Sequence, residues 1–181
     1  MVGSILSLPS NANEYIHDFS QAPSYSMIRM IAACARNRIM GAGGTLPWKT
    51  KEDWQYFLQT TANGVMLMGR ICYEDFTEYT STRKVVVLSR NQNISFNDAQ
   101  KASNLSDGLR LAQSMGKDVW ICGGEEIYRD AMPLAEELYL TQIDADFSGD
   151  VQFPDWRNFF KREISRKELI CQGKKLTFLI L

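Results

Sequence analysis

From Ile28 onward, short runs of nearly unbroken hydrophobic residues alternate with stretches of helical periodicity. The runs IRMIAACA (28–35), GVMLMG (64–69), KVVVLS (84–89) and DVWICGG (118–124) present no consistent polar face. That is the pattern of central parallel strands covered on both sides. After Pro47, Trp54, Phe57, Leu58 and Thr61 recur at i, i+3, i+4 and i+7 and predict an amphipathic helix. Glu52 points away from its stripe, whereas Asp53 falls on the stripe's edge and aims a carboxylate at an apolar surface. Further helices are predicted over RICYEDFTEY (70–79), SDGLRLAQSMG (106–116, with Gly116 as C-cap) and EEIYRDAMPLA (125–135). The last part, ELYLTQIDADFSGDVQFP and FKREISRKELICQGKKLTFLIL, alternates with period two in places and carries Gly-marked turns. It predicts antiparallel strands closing the sheet's edge. The expectation is one α/β domain over residues 27–181, with a mixed, mostly parallel central sheet, flanking helices and an antiparallel C-terminal edge.

Residues 1–26 differ, being rich in Ser, Asn and Pro. SILSL is too short for a signal peptide's hydrophobic region and lacks basic residues before it. A flexible or loosely docked extension is the expectation, and Met27 could be a second start.

Composition narrows the chemistry. A net charge of −1 gives no broad basic field, so nucleic acid is not an expected partner, and nothing reads as membrane-spanning. Four scattered cysteines and the single histidine, His17, form no metal-ligand spacing, and a reducing cytoplasm fits them. In doubly wound sheets ligands sit beyond the carboxyl ends of the parallel strands, which directs attention to the residues after each run. Arg70 and Arg90 there could fork a phosphate monoester, although solvated surface arginines fit the same facts. Gly123 and Gly124 could let backbone approach a pyrophosphate; they lack a full GxGxxG, and a tight structural turn explains them as well. Arg83 reads as a strand-entry charge. Gly41, Gly43 and Gly44 lie in a segment able to move, as an active-site cover would.

Taken in order, IRMIAACARNRIMGAGGTLPW, KEDWQYF, VMLMGRICYEDF, TRKVVVLSR, VWICGGEEIY and LYLTQIDADFSGDVQFPD resemble dihydrofolate reductase, bacterial-type, from Ile28 to the C-terminus. The resemblance implies NADPH-dependent reduction of 7,8-dihydrofolate, hydride going to C6 and a proton to N5. Asp53 matches the acid that pairs with the pterin's N3 and 2-amino edge, Thr141 the threonine supporting it, and Trp48 the tryptophan that orders a water nearby. Leu46 sits at the tip of the mobile loop. Phe57 matches the aromatic wall, with Ile31, Ala33, Trp54, Phe76 and Cys122 at other apolar positions. Arg83 matches the arginine that forks the glutamate α-carboxylate, which reverses its reading as a mere surface charge.

On the cofactor side, Arg70 and Arg90, with Ser89, match positions that bind the 2′-phosphate. Gly123 and Gly124 match a pair joined by a cis peptide, lining the channel with Cys122 and Tyr128. Ala33 and Met40 match backbone contacts to the nicotinamide carboxamide. Gly41, Gly69, Ile71, Cys72 and Leu88 flank the cofactor surface, as do Glu125, Glu126 and Ile127. No metal is implied, a monomer is expected, and antifolates are the implied inhibitors. Cys72 replaces a usual threonine, and Trp54, Phe76 and Cys122 stand where smaller or branched aliphatic residues are common, which alters pocket shape. The last strand stops slightly early, and the N-terminal arm has no counterpart. The rival readings are the related reductase of riboflavin biosynthesis and a non-catalytic dinucleotide-binding module. Asp53 with Arg83 argues against the first, and the joint presence of Asp53, Thr141, Trp48 and Arg83 against the second.

Overall fold

A computed structural model describes residues 26–116 and 118–181. The expectation of a loose arm falls, except for Ser26, outside the described residues. Ten strands and four helices follow in the order β1 (Ile28–Ala35), β2 (Ile39–Gly41), α1 (Lys51–Thr60), β3 (Val65–Gly69), α2 (Arg70–Thr80), β4 (Lys84–Leu88), β5 (Gln100–Ala102), α3 (Leu105–Ser114), β6 (Val119–Ile121), α4 (Glu125–Ala131), β7 (Glu137–Ile143), β8 (Val151–Gln152), β9 (Ser165–Cys171) and β10 (Lys174–Ile180). The main sheet runs β5-β4-β3-β6-β1-β7-β10-β9, parallel from β5 through β7, with β10 and β9 antiparallel.

The unbroken hydrophobic runs are explained by burial on two faces. On β3, Val65 and Leu67 enter the larger core with Leu109 and Ala112 of α3 and Ala131 of α4. Met66 and Met68 point the other way, into a second core with Tyr73 and Phe76 of α2. Val86 against Val85 and Val87 repeats this on β4. β1 sends Met30, Ala32 and Cys34 to the larger core, so Ile31 faces α1 and α2.

Four differences from the sequence reading have identifiable causes. β7 is not an antiparallel edge strand: it lies parallel to β1, between β1 and β10. Its polar residues have specific partners, such as Glu137 accepting from Arg29 at 2.8 Å, so the alternation did not mark solvent. α4 ends at Ala131 rather than 135: Met132 keeps helical geometry as the C-cap, but Pro133 has no N–H with which to continue the helical ladder. β6 stops at Ile121, and Cys122 to Gly124 form the turn into α4. Finally, β5 and the two-stranded β2–β8 sheet were not anticipated. They are too short, at two or three residues each, to show periodicity.

Candidate active site

α1 runs across the face of the sheet that carries Ile31, and its first turn holds Glu52 and Asp53. The apolar stripe is rotated from the expected one. Asp53, at 8% exposure, is the one buried residue within α1, while Trp54, Phe57 and Leu58 are half-buried. Glu52 is exposed and accepts a hydrogen bond from the Cys171 thiol at 2.9 Å. Among the described residues Asp53 is the only buried charged side chain.

Burial pushes the Asp53 carboxyl up, and the Thr141 and Trp48 side chains oppose this by favouring the anion. Thr141, 2% exposed, sits on β7 opposite Ala33 of β1. Trp48 packs against Phe147 at 5.4 Å. Its Nε1 is buried and closes no hydrogen bond among the described residues. A buried N–H without an acceptor is costly, so this donor is suited to a partner brought in with substrate.

Of the matched apolar residues, Trp54, Phe57 and Phe76 gather between α1 and α2, whereas Ala33 packs against the larger core and Cys122 follows the end of β6. Phe76 is 3% exposed and meets Phe57 edge-on at 5.8 Å and Trp54 at 6.0 Å. Trp54 and Phe57 stack at 5.4 Å. Ile31 is buried, and its carbonyl accepts from the Tyr128 hydroxyl at 2.7 Å. Arg83 lies at the far end of α1, where its guanidinium donates to the Leu58 carbonyl at 2.8 Å and to Thr61 Oγ1 at 3.5 Å. Those bonds hold the fork against the helix's C-terminal end, where a cation is favoured.

Across β1 from this cleft, the strand ends of β3, β4 and β6 converge. The Gly123–Gly124 peptide is cis, as the family resemblance implied. Gly69 donates its N–H to the Gly123 carbonyl at 2.8 Å, which joins the ends of β3 and β6. Gly123 has φ +117°, and a Cβ there would lie 3.2 Å from Cys72 Sγ and 3.3 Å from the Tyr128 ring, so glycine is required. Cys72 stands at the same junction; burial pushes its thiol up to about 11, leaving a neutral, weak donor. Arg70 and Arg90 lie at the surface, Arg70 on Glu74 at 2.7 Å and Arg90 within 3.7 Å of Glu126. Exposed pairs of this kind contribute little and can be exchanged for a phosphate. Ser89 accepts from the Asn91 N–H at 3.3 Å, and Ile71 is exposed.

The glycine-rich loop is a tight hairpin. Ala42 and Thr45 bridge, Gly43 and Gly44 take φ of +58° and +87°, and the Gly43 N–H donates to Asp150 at 3.1 Å. Leu46, next to it, is 44% exposed, while Met40 and Gly41 are buried at the loop's base. Two residues of this region escaped the sequence reading. Tyr79 accepts from the Trp54 indole N–H at 3.2 Å, and its signal was its spacing from Phe76 on one helix face. Asp150 had no local signal. A cavity of about 240 Å³ lined by Arg29, Asp118, Trp120 and Tyr139 lies at the opposite, N-terminal ends of the strands and contains none of the matched residues.

Comparison with known proteins agrees with this geometry. The family model described as dihydrofolate reductase matches residues 27–180. Among curated relatives, the dihydrofolate reductase of Neisseria meningitidis serogroup B is 33% identical over 154 residues, covering 83% of this chain and 94% of the relative. That of Staphylococcus haemolyticus is 30% identical over 139 residues, 74% of this chain and 83% of the relative. A type 3 dihydrofolate reductase of Salmonella typhimurium is 34% identical over 140 residues, 77% and 86% respectively. With a buried acid on its first helix, paired glycines at the end of β6 and a match over nearly the whole described fold, the chain belongs to the dihydrofolate reductase family, whose members reduce dihydrofolate to tetrahydrofolate.

Proposed function

We propose that Asp53 is the catalytic acid of this reductase and that the cofactor is NADPH, held along the ends of β3, β4 and β6. The observation that carries the first part is the burial of Asp53, alone among the charged side chains described, beside Thr141 and Trp48. A carboxylate in that place offers two oxygens to a planar amidine edge, a two-point match like its pairing with guanidinium. Thr141 orients the acid. The Trp48 N–H, lacking a protein acceptor among the described residues, is suited to hold a water through which a proton reaches N5. Arg83 forks the glutamate carboxylate, and Phe57, Trp54 and Ile31 exclude water from the ring.

For the cofactor, the residues present fit. Gly69 and Gly123 leave the junction bare of Cβ atoms, and a Cβ at Gly69 would meet Ile127 at 3.2 Å. Arg70 and Arg90 supply exchangeable cations for a 2′-phosphate. When bound, NADPH supplies the hydride. On this reading the protein works as a cytoplasmic monomer, and antifolates compete for the same cleft.

The deciding measurement is single-turnover hydride transfer from deuterated and ordinary NADPH across pH. The wild-type rate should be high at acid pH and fall as pH rises through the raised pKa of Asp53, because the protonated fraction falls with it. Asp53→Asn should lose about 10²- to 10⁴-fold at neutral pH and recover part of this at low pH, where substrate arrives protonated. A neutral-pH rate close to wild type would remove Asp53 from the mechanism.

A further inference from the structure

Between Asp53 and Arg83 the two helices that border the cleft are in direct aromatic contact. From α1, Trp54 and Phe57 stack at 5.4 Å. From α2, Phe76 and Tyr79 stack at 5.3 Å. Across the gap, Trp54 meets Phe76 at 6.0 Å and Tyr79 at 5.3 Å, and Phe57 meets Phe76 at 5.8 Å. A planar ring slotted between two opposed walls needs them about 7 Å apart, two contacts of ~3.5 Å. The rings from the two helices are closer than that, so the cleft is filled by its own side chains along this stretch.

One polar bond fastens the closure. The Trp54 indole N–H donates to the Tyr79 hydroxyl at 3.2 Å, from one wall to the other. Both residues are half-buried, so the pair stands at the cleft's mouth rather than in its floor, where Phe76 is 3% exposed. Tyr79 lies four residues before Arg83, and Arg83 grips α1 at Leu58. A ligand running from Asp53 to Arg83 must therefore pass the Trp54–Tyr79 pair.

The geometry points to a latch: Trp54 and Tyr79 close the mouth between α1 and α2, and the pair must part to admit the benzoyl ring of dihydrofolate. Tyr79 is then a positioning residue, acting through Trp54, that sets how readily substrates with an aryl tail are accepted. Small pterins that end before the aryl group do not reach it. This rests on the placement of substrate between Asp53 and Arg83 proposed above.

Tyr79→Phe keeps the ring contacts with Trp54 and Phe76 and removes only the acceptor. It should lower KM for dihydrofolate about two- to tenfold, the worth of one neutral hydrogen bond, with kcat little changed. The KM of a 7,8-dihydropterin lacking the benzoylglutamate should not move, which separates the latch from a general loosening of the fold. Trp54→Phe also removes the bond, so adding Tyr79→Phe to it should shift KM no further. An unchanged or raised KM for dihydrofolate, an equal shift for both substrates, or additive effects in the double variant would overturn the latch. Asp53→Asn, run alongside, reports on substrate placement: a wild-type rate there overturns both readings, whereas a lost rate with an unmoved Tyr79→Phe KM overturns the latch alone.

Discussion

Burial of Asp53 raises its pKa because the wall around α1 solvates a charge less well than water, and the same loss of solvation acts on stability. A folded-state pKa above the unfolded value of about 3.9 means that the contribution to stability is full below that value and is lost as pH rises through the folded value. Asp53→Asn should therefore have a higher Tm than wild type at pH 7, with the gap closing as pH falls through the raised folded value and gone below about 4. Thermal unfolding of the two proteins across pH checks this, and a gap independent of pH would contradict it. Arg83 works differently, since its guanidinium is fixed by Leu58 and Thr61 before any ligand arrives. Arg83→Leu should raise KM for dihydrofolate about ten- to hundredfold, the worth of a charge-assisted fork, and leave hydride transfer little changed. Steady-state kinetics decides; an unaltered KM would make Arg83 a structural tie only.

At the scale of elements, what matters is which strand ends come together. Arg70 opens α2 directly after β3, and Arg90 follows β4, its neighbour in the sheet, so two arginines distant in sequence share one surface. Replacing both with alanine should weaken NADPH binding strongly and NADH binding hardly at all, because the two cofactors differ only in the 2′-phosphate. Titration with each cofactor measures it, and equal losses would assign the arginines to the pyrophosphate or to folding. The elements themselves were legible where burial is two-sided: Ile28–Ala35 appears as read from its hydrophobic run. They were not where a polar residue has a buried or tertiary partner. Thr141 and Glu137 made β7 look like an edge strand, although one faces Asp53 and the other pairs with Arg29.

For the whole molecule, the first described residues are already stitched into the sheet. Val119 donates its N–H to the Met27 carbonyl at 2.9 Å, and Glu136 donates to that of Ile28 at 2.8 Å. The Met27 and Ile28 N–H groups are taken by the Asp118 and Glu136 carboxylates. A chain starting at Met27 keeps all four bonds and every proposed site residue, and its new ammonium would lie beside Asp118. We expect residues 27–181 to fold and to retain kcat/KM within about tenfold of the full chain. Insolubility, or a larger loss, would make residues 1–26 part of the working structure.

The hydrophobic pattern by itself determined four of the parallel strands, β1, β3, β4 and β6, because residues buried on both faces leave an unbroken apolar signature, and it placed Asp53 near an apolar surface through helical spacing alone. The roles proposed for Arg83, Arg70, Arg90 and the glycine pair come from motif resemblance, since periodicity left them open. Only the tertiary structure decided that β7 lies inside the sheet and that Asp53 is the buried residue of α1. It alone showed Tyr79 meeting Trp54 across the cleft. Each of these depends on contacts between segments far apart in the chain, and a local pattern carries no record of which distant side chain will satisfy a polar group.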